Sequence, residues 1–466
     1  MNWKQKATTG SRKNIIQHLL NLLIMALTEI DINLIDTLAA KSADSGISLL
    51  NDFPQIRDES LNALKETGLP GNKHEEYKYF NVSRKIKRDY NFLLPTGKGI
   101  EQPGWIRSKL VDDGEGIHIV FIDGIYSKEF SNFDNKVKGF EFFLPGDSGE
   151  GLNYILDAFA AERQNINKDP YLDLNRAFPN AGYAIRIIKD FDTKPVYIYH
   201  FVNSGAQDLL INHTGIILVE KDTKADLSEI FISEIEDHHF RNHNTELIAR
   251  NGALVNYHLI QETGSDSVNV QNINIYQSAN SRVNTYTFSL SGKDLRNNLN
   301  ILLNEEDCES HLYGLYFISN NDHIDNHTTV DHRKPHCYSN EYYKGIIDEK
   351  GMGTFNGKIY VRPNAQKTNA FQSNKNLVLT DTATVNTKPQ LEIWADDVKC
   401  SHGATTGQID EEQMFYLRSR GLGKESATAL LLHAFAFDII DRVELEHLRK
   451  YIGSKINNKL GYQFSD

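Results

Sequence analysis

A cysteine and a histidine stand two residues apart towards the C-terminal end of the chain, at Cys400 and His402. If the segment VKCSH is a strand, both side chains project from the same face, and their α-carbons lie roughly 6.5 Å apart. Thiolate and imidazole are good ligands for zinc and iron. A structural zinc ion or an iron–sulfur cluster usually has four ligands. The pair is therefore either structural or half of a site that another chain completes.

A second group of potential metal ligands lies in the segment HIDNHTTVDHRKPHC, which contains His323, His327, His332, His336 and Cys337. The spacing of four residues between the first two histidines would suit one face of a helix. The threonines and the proline favour strands and turns instead. We interpret these side chains as structural or solvated, with a transient metal contact as the alternative.

Three other patterns resemble parts of enzyme active sites. Clustered carboxylates at Glu305–Asp307 and at Asp396 and Asp397 could serve a β-helix glycosidase, but charged turns in solvent are more common. GDSG at Gly146–Gly149 has no histidine and aspartate context for a serine protease. GLGKES at Gly421–Ser426 lacks the Ser or Thr that follows the lysine of a phosphate-binding loop. We therefore expect no ATP hydrolysis by such a loop.

The composition is that of a globular protein with room for two or three domains in 466 residues. Fifty basic and 62 acidic residues give a net charge of −12, which argues against general nucleic-acid binding. Three cysteines, Cys308, Cys337 and Cys400, are too few and too scattered for a disulfide framework. They fit free thiols in a reducing compartment, and we expect a cytoplasmic protein.

The N-terminal stretch MNWKQKATTGSRKNIIQHLLNLLIMAL combines basic residues with an apolar run and superficially resembles a secretory signal. Gln17, His18 and Asn21 interrupt the apolar run, and no small-residue cleavage site follows. The run is also too short and too polar to span a membrane. We expect an amphipathic helix here, and translation starting at Met25 rather than Met1 is an alternative.

Hydrophobic patterning divides the chain into three parts. Residues 1–175 mix helical segments with strands, residues 176–405 repeat short alternating segments such as VNVQNINIYQ, and residues 406–466 return to helical patterns. Many short strands at a fairly even pitch are typical of a sandwich, a barrel or a solenoid. The central strands lack the NG or DG links of tight hairpins. We therefore predict a mainly β fold built on a parallel β-helix, with a sandwich as the alternative.

Two helices are predicted near the C-terminus. Asp410 is placed to cap the helix EEQMFYLRSRG, whose first residues are acidic, and Gly421 is placed to end it. The next segment, KESATALLLHAFAFDIIDRV, is apolar around much of its circumference. Such a helix must be buried, either in its own domain or against another protein.

About 110 residues match a known family in order. They include HCYSNEYYKGI, GTFNGKIYVRPNAQKTNAFQSNKNLVL and KPQLEIWADDVKCSHGATTGQIDEEQMFYLRSRG. The chain resembles the SufB/SufD family of the SUF iron–sulfur cluster assembly system. GLPGNKHEEYKYFNV resembles the N-terminal signature of the family, with Tyr77 where tryptophan is common. The form KCSHGAT, with few other thiols, is similar to the SufD branch rather than to the SufB branch.

The resemblance implies a right-handed parallel β-helix flanked by an N-terminal helical and mixed region and a C-terminal helical domain. It implies a non-enzymatic scaffold in a complex with one SufB and two copies of the ATPase SufC. The β-helices of SufB and SufD would pair, and SufC would dock on the C-terminal helices. A homodimer in the absence of SufB is also possible.

The resemblance also gives the pair near the C-terminus a role. It implies that His402 belongs to the cluster-building surface, with Cys400 next to it, and that SufB supplies the remaining ligands. Iron or a nascent iron–sulfur cluster would bind there transiently, shared with the partner. A SufB-like paralogue and, less favoured, a β-helix enzyme acting on polysaccharides are the alternatives.

Overall fold

The computed structural model of the chain describes residues 35–40, 49–50, 53–71, 74–86, 91–92, 104–133, 137–163, 169–189, 191–192, 194–203, 208–233, 239–264 and 266–461. The basic and apolar stretch at residues 1–27, with its alternative start at Met25, lies outside the described residues. Among the described helices, none is both long and apolar enough to cross a lipid bilayer.

Six helices of eight or more residues occur in the described part of the chain. They are α1 (Pro54–Thr67), α2 (Glu150–Glu162), α3 (Pro170–Ala177), α4 (Glu411–Ser419), α5 (Lys424–Ile440) and α6 (Glu446–Leu460). Residues 35–40 are also helical, and three 3₁₀ segments lie at Glu75–Tyr77, Val82–Arg84 and Gly104–Lys109. The predicted break after the first helix is confirmed, because Gly68 leaves the helix with a φ of 65°.

The strands are short and regular. They are β1 (Asn91–Phe92), β2 (Ile117–Ile122), β3 (Ile125–Tyr126), β4 (Phe140–Phe143), β5 (Ala181–Ile187), β6 (Val196–Val202), β7 (Leu209–Val219), β8 (Lys224–Ser233), β9 (His239–Ala249), β10 (Leu254–Glu262), β11 (Ser267–Gln277), β12 (Arg282–Ser291), β13 (Asp294–Leu303), β14 (Glu309–Ile318), β15 (His323–His332), β16 (Tyr338–Ile347), β17 (Met352–Val361), β18 (Asn369–Val378), β19 (Thr384–Ile393) and β20 (Lys399–Gly407).

The strands form a parallel β-solenoid of about seven turns, which confirms the predicted β-helix over the sandwich. Within the described residues they build two ten-stranded sheets. One sheet has the order β19-β17-β15-β13-β11-β9-β7-β5-β4, with β1 beside β7, and we call it sheet A. The other has the order β20-β18-β16-β14-β12-β10-β8-β6-β2-β3, and we call it sheet B. The chain thus alternates between the sheets, so residues one full turn apart become neighbours.

Stacked apolar side chains fill the space between the two sheets. Leu247 and Ile301 of sheet A and Leu227 and Leu312 of sheet B belong to this interior cluster and are fully buried. Helices cover the outer faces. Buried residues of α5, such as Leu432, pack with residues on the outer face of sheet B, while α2 packs with the outer face of sheet A. The apolar α5 is therefore largely a core helix of this chain.

Candidate functional site at the open end of the solenoid

Cys400 and His402 lie on β20, the last strand of sheet B. The segment is therefore a strand, as its sequence predicts. Cys400 pairs in register with Ala370 of β18, and His402 pairs with Gln372. In the described part of the chain, no strand pairs with the outer edge of β20. The two residues thus belong to the final turn of the solenoid, where its interior opens to solvent.

The parallel register shows which way the two side chains point. Ala370 and Gln372 are buried, and Ala370 is part of the interior cluster. In-register parallel strands place paired side chains on the same face of the sheet. Cys400 therefore continues the interior column of Ala370, and it packs partly against the interior cluster. His402 continues the column of Gln372 and is exposed because no further turn covers it.

Sheet A supplies the opposite wall of this opening. Val385 and Leu391 of β19 are half-buried and pack against the interior cluster from the last turn. Trp394, just after β19, is 48% exposed, and its ring stacks on Tyr360. The opening is therefore lined by apolar side chains on one wall and by a thiol and an imidazole on the other. We call it the open end.

The thiol of Cys400 is neutral in its present surroundings. Burial raises the pKa of Cys400, with a partial offset from its contact with the backbone of Ala370. The thiolate is the form that binds metal. A cation at the open end, or a positive charge brought by another chain, would favour loss of the proton.

A buried carboxyl lies in the column beneath His402. Gln372 donates a hydrogen bond from Nε2 to Oε2 of Glu341, at 2.7 Å. Glu341 is buried, and this burial raises its pKa to about 7. Gly357 makes room for this arrangement, because a Cβ at that position would lie 2.1 Å from Nε2 of Gln372. A titratable group therefore lies two turns of the solenoid below the exposed imidazole.

The residues of the second predicted ligand group do not converge on one point. Their segment is a strand and a turn, as the threonines and the proline indicate. His323 contacts Oγ1 of Thr354 at 3.2 Å, whereas His332 contacts Oγ of Ser339 at 2.8 Å. Even spacing places His323 and His327 on one face of β15 and His332 on the other. The structural interpretation of these histidines fits this arrangement.

The remaining members of that group lie at or next to the turn. His336 has a φ of 62° in the turn, and Cys337 is buried. The Sγ atoms of Cys308 and Cys337 lie 3.2 and 3.3 Å from the carbonyl oxygen of Glu305. Both thiols are free and contact the same turn, one solenoid turn apart.

Comparisons with known proteins agree with this architecture. The SufBD core domain model of the SUF iron–sulfur cluster assembly system matches residues 201–435, and the SufBD N-terminal region model matches residues 32–103. The iron–sulfur cluster assembly protein SufD of Escherichia coli is 30% identical over 87% of this chain and 93% of its own length. The chain belongs to the SufBD family. An iron–sulfur cluster assembly SufBD family protein of Synechocystis is 28% identical over 84% of this chain and 88% of its own length.

The family resemblance expected from the sequence is thus confirmed, and the chain is a SUF-system iron–sulfur cluster assembly protein. The core match ends inside α5. It therefore contains the whole open end and α4, so Cys400 and His402 lie within the part of the chain that defines the family.

The C-terminal helices of this SufBD protein present a second exposed surface. Every residue of α4 is at least partly exposed, and the side chains of Phe415 and Tyr416 are 75% and 57% exposed. A groove of about 480 Å³ runs between α4 and α5. It is lined by Glu412, Gln413, Tyr416, Leu417, Leu430, Leu431 and Ala434. We call it the α4–α5 groove.

Sequence reasoning missed a buried histidine cluster in this SufBD protein, formed by His200, His213 and His243. His213 and His243 are 30 residues apart and pair in register on β7 and β9. Their spacing equals one turn of the solenoid, which is a signal that a search for columns at that period could have found.

Proposed function

We propose that this chain is a scaffold subunit without catalytic activity of its own, and that its open end is half of the surface on which a cluster is built. The observation that carries the proposal is the position of Cys400 and His402 on an uncovered final turn. An interior-facing thiol and imidazole without a covering turn offer two ligands and leave the others to a second chain.

SufB is the partner that we propose for the open end. The outer edges of β19 and β20 present backbone donors and acceptors that no described strand pairs with. Such edges are templates for pairing with strands of another chain. A second solenoid that continues both sheets would bury the apolar wall at Val385 and Leu391 and enclose the thiol and the imidazole. Iron or a nascent cluster would bind there transiently and would be shared with SufB.

SufC is the partner that we propose for the C-terminal helices, residues 406–466. Phe415 and Tyr416 are large exposed aromatic side chains beside the α4–α5 groove. Aromatic anchors next to an apolar groove are typical of protein-binding surfaces. ATP binding by SufC would draw two copies of SufC together and rotate the attached helices. This movement would open the surface around His402 to iron and sulfide in the cytoplasm.

The experiment that tests the proposal is reconstitution of the complex with SufB and SufC from the same source. We expect His402→Ala to assemble with normal stoichiometry and to lower the rate of cluster formation at least tenfold. Ser401→Ala is the matched control, because Ser401 lies on the same strand with its side chain on the opposite face. Normal cluster formation by His402→Ala would refute the role of this imidazole.

Partner recovery tests the other half of the proposal. A tagged chain purified from native extract should bring down a SufB paralogue in equal amount and an ATPase in twofold amount. Recovery of two copies of this chain alone would show that the open ends of two copies pair. A chain that holds a cluster by itself would indicate the SufB-like alternative.

A further inference from the structure

The histidine cluster lies inside the solenoid, close to its N-terminal end. His200 comes from β6 of sheet B, and His213 and His243 come from β7 and β9 of sheet A. All three are buried, with 5%, 1% and 0% of His200, His213 and His243 exposed. One ligand nitrogen from each ring lies within 4.8 Å of the other two. Two sheets thus direct three imidazoles at one point.

The spacing of these nitrogens is close to that of ligands on one metal ion. Imidazole nitrogens bind zinc at about 2.0–2.1 Å, so neighbouring ligands on one ion lie roughly 3.0–3.4 Å apart. The rings of His213 and His243 are already stacked in parallel, with centroids 4.9 Å apart. Closing the remaining gap requires ring movements of about 1 Å, which side-chain rotation allows.

Glu229 of β8 supplies a negative charge beside the cluster. Its Oε1 atom lies 3.2 Å from Nε2 of His200 and 3.0 Å from Nε2 of His243. Thr245 donates a hydrogen bond to Oε2 at 2.6 Å, and Tyr257 donates to the same atom. A carboxylate that accepts from the far nitrogen of a metal-binding histidine fixes the tautomer and the orientation of the ring. Glu229 can orient two rings in this way or bind the ion directly.

Hydrogen bonding within the protein does not account for His213. Neither of its ring nitrogens has a hydrogen-bond partner among the described residues, and neither does Nδ1 of His243. Buried polar atoms without a partner are rare and point to a water molecule or an ion. Burial also lowers the pKa of His200 to about 3 and holds that of His213 well below its usual range. The rings are thus neutral, which is the form that binds metal.

One nearby charge opposes a cation. Arg241 is fully buried, and its charge contributes to the lowered pKa of His200 and of His213. The guanidinium lies over the ring of Phe231 and interacts electrostatically with Asp123. The charge of Glu229 offsets that of Arg241, so the site as a whole does not repel a divalent ion strongly.

We propose that His200, His213 and His243 bind one divalent transition-metal ion, zinc or ferrous iron, with Glu229 orienting the rings or completing the coordination. Three imidazoles and a carboxylate suit either ion. The ion would tie sheet A to sheet B in the first turns of the solenoid. It would be a resident ion, separate from iron that binds transiently at the open end, and the proposal does not depend on the function proposed above.

The test is metal analysis of the full-length chain in its native complex, purified without oxygen after growth with added zinc or iron. We expect one zinc or iron per chain, with three imidazole ligands in the X-ray absorption spectrum. His213→Gln should lower the retained metal at least tenfold. His258→Gln is the matched control, because His258 is 1% exposed on β10 and lies outside the cluster.

Several outcomes would overturn the proposal. Metal content that is equal in His213→Gln and the parent would place any ion elsewhere, and sulfur ligands in the spectrum would point to the open end. If His213→Gln does not fold, the parent protein decides the matter alone. A parent protein without stoichiometric metal after refolding with zinc or with ferrous iron would show that the cluster is only a hydrogen-bonded network.

Discussion

His402 lies beside Gln372 in the parallel register of β20 and β18. Gln372 in turn pairs with Glu341 of β16 and donates a hydrogen bond to it. Strands in a sheet are about 4.8 Å apart, so the buried carboxyl lies roughly 10 Å below the imidazole. The exposed histidine of the open end therefore lies above a column of polar side chains that leads into the solenoid.

Glu341→Gln should change how stability depends on pH. Burial raises the pKa of Glu341 from 4.5 to about 7, so the folded state holds this proton more tightly than the unfolded state. The parent protein therefore loses stability as pH rises from about 4.5 to about 7. The amide of the variant still accepts the hydrogen bond from Gln372 but cannot ionise. We expect the variant to be more stable above pH 7, by up to about 3 kcal/mol.

Urea unfolding at several pH values measures this difference. The advantage of Glu341→Gln over the parent should shrink steadily as pH falls towards about 4, where both side chains are neutral. Glu392→Gln, on the exposed part of β19, serves as the control and should show no such trend. A difference between Glu341→Gln and the parent that does not vary with pH would show that Glu341 ionises freely in the folded protein.

Arg296→Ala should release the segment of residues 74–86 from the solenoid. Arg296 is buried, lies 2.6 Å from Oδ2 of Asp325 and donates to the carbonyl oxygen of Glu76 at 2.8 Å. Its guanidinium also lies 4.5 Å from the ring centre of Tyr77. Removing one partner of a buried ion pair typically costs about 3–5 kcal/mol. We expect a lower thermal midpoint and faster proteolysis within this segment.

Arg282→Ala is the comparison for that experiment. Arg282 forms an exposed ion pair with Glu309 at 3.6 Å, with about half of its side chain in solvent. Exposed pairs contribute at most about 1 kcal/mol. Equal effects of the two substitutions would mean that Arg296 does not anchor the segment.

Asp410→Ala should loosen α4 without removing any residue of the α4–α5 groove. The side chain of Asp410 accepts hydrogen bonds from the backbone of Glu412 and Gln413 at 2.9 and 3.0 Å. Loss of such a cap costs about 1 kcal/mol. Hydrogen exchange of the α4 amides should become roughly fivefold faster, since 1.4 kcal/mol corresponds to a factor of about ten. Asp410→Asn keeps the cap and should exchange like the parent.

Phe415→Ala tests the proposed docking of the ATPase. Because its side chain is 75% exposed, its removal should leave the thermal midpoint of the isolated chain nearly unchanged. The dissociation constant for SufC should rise at least tenfold, as expected for an aromatic anchor. Tyr154→Ala, an exposed aromatic residue on α2, is the control. Unchanged SufC binding by Phe415→Ala would move the docking surface away from α4.

Local signals in the sequence predicted the elements around the open end well. Asp410 caps α4 as expected, and Gly421 follows it with a φ of 95°. Such signals act within a few residues, so they can be interpreted without the rest of the fold. Alternation along VKCSH likewise placed Cys400 and His402 on one face of a strand. The final position of that strand in sheet B also agrees with the prediction.

The columns inside the solenoid were not predictable in the same way. Gln277 pairs with Leu303, 26 residues on, whereas Val361 pairs with Ile393, 32 residues on. The turns between strands differ in length, so no fixed period brings column neighbours together in the sequence. For this reason neither the meeting of His200 with His213 nor the position of Glu341 beneath Gln372 could be derived. Both depend on registers that only the folded chain defines.

The stacked turns of the solenoid also act as a ruler. His243 lies on β9, and β19 is five strands further along sheet A. At about 4.8 Å for each strand, the histidine cluster and the open end are roughly 24 Å apart. Each turn contacts mainly its neighbours, so one turn more or fewer would change this distance by one fixed step and leave both ends intact. The length of the protein is therefore a property that evolution can adjust independently of the chemistry at either end.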